Sequence, residues 1–374
     1  MKRHFVFASL ILMASAGLCS DLLTAYMKGE IKLAPDAAFG AKTPWDMYFN
    51  GAKDTSLAFL PDGSFFRTSF KDGKVFKFNE SGDKVAEFGR KGQGPGDLNS
   101  PASIDILNGE LLVVNDSGNR RICGFDLTGK SLDIIKPEYV VSSVVPLKDG
   151  KILVVAQDKQ SDFFNKFYRV LIRDLKTGAE KEVAAFKDVK PRSPIFIKNE
   201  YFDGAVHVAR VGNDRFLIGY SKSPEIALYT LAGEKKSSFN VEIFQERIIF
   251  EHLEFMMKPD PKNKEEMEGY RKVIVANKDK IQLPEFHQYY LGLTVDSDDH
   301  ILLFLNKLAQ KSYEIAFQAY SLDGKLLATV KVDPGDYKVL NPSSLAFRGK
   351  YVFASLEKKD AEGSQILARV KIAE

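Results

Sequence analysis

Residues 111–130 read Leu-Leu-Val-Val-Asn-Asp-Ser-Gly-Asn-Arg-Arg-Ile-Cys-Gly-Phe-Asp-Leu-Thr-Gly-Lys. An apolar run opens the stretch. A polar loop around Asp116, Ser117, Gly118 and Asn119 interrupts it. A second apolar run passes through Ile122 and Phe125 and ends in the tight turn Thr128-Gly129-Lys130. Glycine supplies the positive φ that short hairpin turns demand, so the stretch reads as strand, loop, strand, hairpin.

The hairpin turn recurs along the chain. Ser81-Gly82-Asp83, Thr177-Gly178-Ala179, Ala232-Gly233-Glu234 and Asp323-Gly324-Lys325 each separate two strand-like runs. A second series sits earlier in each unit: Pro61-Asp62-Gly63, Asn108-Gly109, Asp149-Gly150, Asn213-Asp214, Asp298-Asp299 and Arg348-Gly349. Each unit is therefore four strands over roughly 40–50 residues, the length of a propeller blade. The chain reads as all-β, a six-bladed β-propeller over residues 21–374. The early series has six members and the late series five. The last unit then lacks its fourth strand, and an open edge invites association. A strand from the N-terminus, at Glu30 to Leu33, is expected to close the ring.

Alternation breaks between Val241 and Tyr290. Phe244, Ile248, Phe250, Leu253 and Met257 recur at helical spacing, and Lys264 to Val275 predicts a second helix. A short helical insertion, about 244–288, is expected between two blades.

The best-formed unit resembles an NHL repeat, whose core runs D-S-G-N-x-R-I-x-x-F-D-x-x-G. Here Asp116-Ser117-Gly118-Asn119-Arg120-Arg121-Ile122, Phe125-Asp126 and Gly129 carry the likeness, with Phe88-Gly89, Gly92, Gly94-Pro95-Gly96 and Pro101 ahead of them. The other units match loosely. The whole chain is similar to bacterial six-bladed propeller proteins related to NHL repeats, which are often exported or lipidated. WD-repeat propellers fit worse, because Trp45 is the one tryptophan.

The first twenty residues have the form of a secretory signal peptide: Lys2 and Arg3, then an apolar stretch from Phe5 to Met13, then Ala14-Ser15-Ala16. A secreted or periplasmic location is expected. Cys19 is a candidate lipidation site that would anchor the protein at the cell envelope, although Leu18 departs from the small residue that normally precedes a lipidated cysteine. Removing Lys2 and Arg3 takes the net charge from +3 to +1. A near-neutral domain has no electrostatic footprint for nucleic acid, so none is expected as a partner, and no membrane contact is expected beyond Cys19. Cys123 then has no partner and is expected to be a buried free thiol.

Catalytic and metal motifs are weak. The glycines 92–96 lack the Gly-Lys-Ser/Thr of a phosphate loop. Histidines 207, 252, 287 and 300 are scattered singly, and Asp296, Asp298 and Asp299 lack EF-hand spacing. No cofactor or metal is expected. In an antiparallel blade both turn series fall on one face, so the longer connections share the other. Long loops on a rigid scaffold carry binding more often than tight turns do. The candidate binding residues are Arg90, Lys91, Asp116, Arg120, Phe163 and Arg192, and Lys187, Lys190, Phe164 and Phe196 are expected on the same face. They predict a mildly basic, aromatic-bearing face for a partner protein, peptide or glycan. Asp116 and Arg120 could instead form an internal Asp–Arg or Arg–carbonyl set that shapes the turn. The alternative function, by resemblance, is a lactonase-like or lyase-like hydrolytic propeller enzyme with a metal in the central channel.

Overall fold

The computed structural model describes residues 21–48, 56–162, 164–191, 202–257, 264–341, 344–360 and 364–372. Six antiparallel sheets follow one another along the chain: 57–88, 101–135, 140–189, 206–240, 290–333 and 337–371. They are blades one to six of a β-propeller. Every turn of the two series falls where the sequence places it, between first and second or third and fourth strands.

The core is a set of seams between blades. Middle strands are buried on both faces, as in Lys151–Gln157, where Ile152 to Ala156 are almost wholly inaccessible. Alternate side chains of one strand therefore serve different seams. Leu153 and Val155 pack toward blade four, while Ile152 and Val154 pack toward blade two. This is the period-two rule applied to a strand with no wet face.

The N-terminus closes the ring by a different route from the expected one. The strand Glu30–Lys32 pairs in parallel with the outer strand of blade five, Leu326–Asp333, in the register Ile31 with Val332. It is not the missing strand of blade six. Blade six instead begins earlier, with its inner strand in two pieces, Tyr337–Val339 and Ala346–Arg348, both paired with Tyr351–Lys358. Its outer strand, Gln365–Lys371, is covered by the following N-terminal residues. Asp36 N–H donates to the Arg369 carbonyl at 2.9 Å, and Arg369 returns an ion pair to Asp36 at 2.7 Å.

The N-terminal segment fills both seams that flank blade six. Helix α1 (Asp21–Met27) puts Leu22 and Tyr26, with Ile31 and Leu33, between blades five and six. Phe39 and Trp45 lie between blades six and one, against Phe65, Phe78 and Phe353. These rings stack or meet edge-on at 5.0–6.1 Å. Among the described residues blade six has no fourth strand, and burial of these side chains offsets the lost ladder.

The insertion lies between blades four and five. It holds α2 (Phe250–Met256) and α3 (Lys264–Ala276). The first helix is shorter than the helical spacing predicts. Residues 241–249 are non-helical, Ile248 N–H is held by the Glu285 carbonyl, and Phe244 stands in solvent.

Candidate functional site

The long-loop face carries the connections between second and third strands and between blades. On the side of blades one and two, the loop of residues 89–100 is built around a buried ion pair. Asp116 is inaccessible. Its Oδ2 receives Arg121 Nε at 2.7 Å and Asn119 Nδ2 at 2.8 Å, and its Oδ1 receives the Asn99 N–H at 2.6 Å. Arg121, also buried, donates onward to the carbonyls of Gln93 and Asp97 at 2.8 and 2.7 Å. A buried ion pair is tolerated when further hydrogen bonds satisfy it, and this one is satisfied by backbone.

The internal set therefore uses Arg121 rather than Arg120. Arg120 closes the loop in the left-handed region (φ 51°) with its side chain in solvent. The clue was in the strand that follows, Arg121–Asp126: Arg121 is the residue that enters the ladder opposite Asp116. Gly73 shows how tightly the neighbouring loop packs. It has φ +62°, and a Cβ there would lie 2.3 Å from the Leu98 carbonyl oxygen.

The remaining candidates divide. Arg90 is exposed but tied to Asp97 at 2.7 Å. Lys91 and Arg120 are exposed and have no side-chain partner among the described residues. The structure thus places three candidate cations on two neighbouring loops, because Asn119 bonds the Gly92 carbonyl and Gly118 the Asn99 carbonyl. Lys190 is buried and paired with Asp203, so it is no part of a basic surface. Lys187 lies over the Phe167 ring at 5.3 Å. Cys19, Phe163, Arg192 and Phe196 lie outside the described residues. Cys123 is buried and free, and burial pushes its thiol up to about 12.

A second region of the same face lies between the insertion and blade five. Helices α2 and α3 share a small core with Phe202 and Leu308. His252 Nδ1 and His287 Nε2 are 2.9 Å apart within the protein, and burial holds His287 down at about 4. Gln245 donates to the His287 carbonyl at 2.8 Å, and Glu246 accepts from Gln310. Between them is a cavity of about 190 Å³. Its lining is mostly polar: Glu242, Glu246, Gln288, Asn306, Lys307 and Gln318 contribute. The wall thus offers hydrogen-bond acceptors and donors together. Two lining residues carry buried nitrogens without a hydrogen-bond partner among the described residues, Nδ1 of His287 and Nδ2 of Asn306. The sequence names His252 and His287 only as scattered histidines and singles out none of the polar lining, which comes together where the insertion meets the end of blade five.

Among the described residues, no three His, Cys, Asp or Glu side chains gather as a metal-holding set. No helix among them is long and apolar enough to cross a membrane.

Comparison with known proteins agrees with this architecture. Residues 59–208 match the family model DUF5128, described as a 6-bladed beta-propeller. A stretch of 45 residues, 12% of this chain, is 51% identical to the RING finger protein nhl-1 of Caenorhabditis elegans and spans only 5% of that protein's length. A member of the duf4221 family from Bacteroides vulgatus superposes with a TM-score of 0.53 at 11% identity, over 87% of this chain and 92% of its own. A Bacteroides fragilis protein described as exported gives 0.50 at 15% identity, over 86% and 91%. Likeness at such identity speaks to fold. The protein is a six-bladed β-propeller, and a short part of it is similar to nhl-1.

Proposed function

We propose that this chain is an exported propeller that binds without catalysis, capturing a hydroxyl-rich or amide-rich ligand, such as part of a glycan or peptide, on its long-loop face. The observation that carries the reading is the polar cavity between the insertion and blade five. A cavity of about 190 Å³ has room for a group the size of one sugar ring. Its carboxylates and amides can accept from hydroxyls, and Asn306 and Lys307 can donate to them. The exposed cations Lys91 and Arg120 stand on the other side of the ring and would add a second, charge-dependent contact with a large partner. Export follows from the form of residues 1–20, and Cys19 remains the candidate anchor there.

The test is saturation-transfer NMR with neutral monosaccharides and short peptides on the purified protein, repeated with Asn306→Ala and Gln318→Ala. Transfer to a sugar or peptide that drops in both variants supports the reading. Transfer unchanged by either variant removes the cavity from it. A stoichiometric calcium or zinc in the purified protein, with turnover of a lactone, would replace binding by the enzyme reading.

A further inference from the structure

The inner strands of alternate blades bring three charged side chains to one end of the propeller. Asp105 lies near the end of Pro101–Leu107 in blade two, Arg210 near the end of Val206–Val211 in blade four, and Arg348 at the end of Ala346–Arg348 in blade six. Each sits just before the tight turn that leaves its strand, on the face opposite the long loops. Blades two, four and six are not neighbours. The space that they share is the central channel, so side chains from all three can sense one another only there.

They do sense one another. Burial raises the Asp105 carboxyl, while Arg210 and Arg348 act in the opposite direction. Crowding by the surrounding protein lowers Arg348, the charge of Asp105 opposes this, and the charge of Arg210 lowers it again by less. Yet among the described residues none of the three is joined to another by an ion pair. Asp105 Oδ1 accepts the N–H of Ile106 at 2.7 Å. Among the described residues, Arg210 donates a hydrogen bond only to the Pro146 carbonyl, at 3.4 Å. Arg348 lies over the Phe59 ring at 5.3 Å and makes no hydrogen bond among the described residues. Two guanidinium groups and one carboxylate thus lie at the same end of the inner strands, a charge of +1 among these three, while the Asp299 carboxylate is taken up by the Gly212 N–H of the neighbouring turn.

We propose that this end of the channel binds a small organic carboxylate: Arg210 and Arg348 take the carboxylate, and Asp105 accepts a hydrogen bond from a hydroxyl on the same ligand. A guanidinium offers paired N–H groups that match the two oxygens of a carboxylate. The ligand anion neutralises the excess charge and keeps the two cations apart. Arg348 and Arg210 remain accessible to solvent, so entry needs no rearrangement of the blades. This site is separate from the insertion cavity, and neither depends on the other.

The experiment is thermal unfolding of the full mature protein in rising glycolate, with acetate and chloride at matched ionic strength. Glycolate should raise the melting temperature with concentration, acetate less so, and chloride not at all, because a ligand bound only to the folded state stabilises it by mass action. Arg348→Gln and Arg210→Gln should each weaken the apparent glycolate affinity at least tenfold, and Asp105→Asn should narrow the gap between glycolate and acetate. Arg348 is exposed at a turn, so its variant is expected to fold. A flat wild-type response, or the same rise in wild type and both arginine variants, overturns the proposal.

Discussion

The Arg121 guanidinium lies 2.7 Å from the Asp116 carboxylate, and neither side chain reaches solvent. The pair fixes the second-to-third strand loop of blade two to the 89–100 connection, because Arg121 also holds three carbonyls of that connection. Replacing Arg121 by methionine leaves a buried carboxylate with fewer donors. Breaking such a pair from one side costs about 3–5 kcal/mol. Arg120→Ala, one residue away and in solvent, should fall within about 0.5 kcal/mol of wild type. Urea midpoints measure both. Equal losses at the two positions would contradict the assignment of the inward arginine.

Closure of the ring depends on residues 21–48. Trp45 packs on Phe39 and Phe78 at 6.1 and 5.1 Å in the seam between the last blade and the first. Trp45→Ala should cost about 3–5 kcal/mol, as aromatic truncations in cores do. Deleting 21–48 should do more. It empties two seams and uncovers the outer edge of blade six, so a lower melting temperature should come with self-association. Scanning calorimetry and light scattering report the two effects. An unchanged melting temperature would show that the segment rests on the ring without closing it.

Charge reversal on the long-loop face discriminates between cations that look alike in sequence. Arg90 is held by Asp97, which keeps the Asp97 carboxyl below its ordinary range. Lys91 and Arg120 have no such partner among the described residues. Lys91→Glu and Arg120→Glu should therefore weaken retention on an anionic-glycan resin, in a salt-dependent manner. Arg90→Glu should also loosen the loop, visible as faster amide exchange at residues 91–98. Retention unaffected by all three changes would remove this patch as a contact.

How much of this was legible follows from which interactions are local. Blade count and turn positions are written in short-range chemistry, such as Asp126-Leu127-Thr128-Gly129, where the aspartate caps its own turn. The pairing of Glu30–Lys32 is not, because a three-residue strand carries too little pattern to choose between two edges. The choice was made by α1 and by Tyr26, whose hydroxyl donates to Asp296 at 2.9 Å across most of the chain. The same limit hid the channel. Asp105, Arg210 and Arg348 lie far apart in sequence, and only the closed ring places them together. In the Asp116 loop, the sequence held two adjacent arginines, and the strand register decided between them.

Acid should loosen the insertion, and also blade four, where burial holds His207 on the strand Val206–Val211 at about 4. Burial, with His252 alongside, holds His287 at about 4, whereas an unfolded chain would titrate it near 6.5. The folded form then refuses a proton that the unfolded form accepts. The stabilisation is complete above pH 6.5 and is lost as pH falls from there toward about 4, by at most about 3 kcal/mol. His300 works in the other direction. Its hydrogen bond to Asp296, 2.8 Å long, raises it, so its contribution is complete below the unfolded pKa and fades as pH rises through the raised one. The two histidines lie in different places, one under the insertion and one at the turn that holds α1. His287→Gln should remove part of the loss of stability between pH 6.5 and 4, the rest belonging to His207, and His300→Gln should flatten the loss on the alkaline side. Amide exchange across α2 and α3 as a function of pH locates the first effect. If protection there stays constant down to pH 4 while the blades open, the histidine pair does not hold the insertion in place.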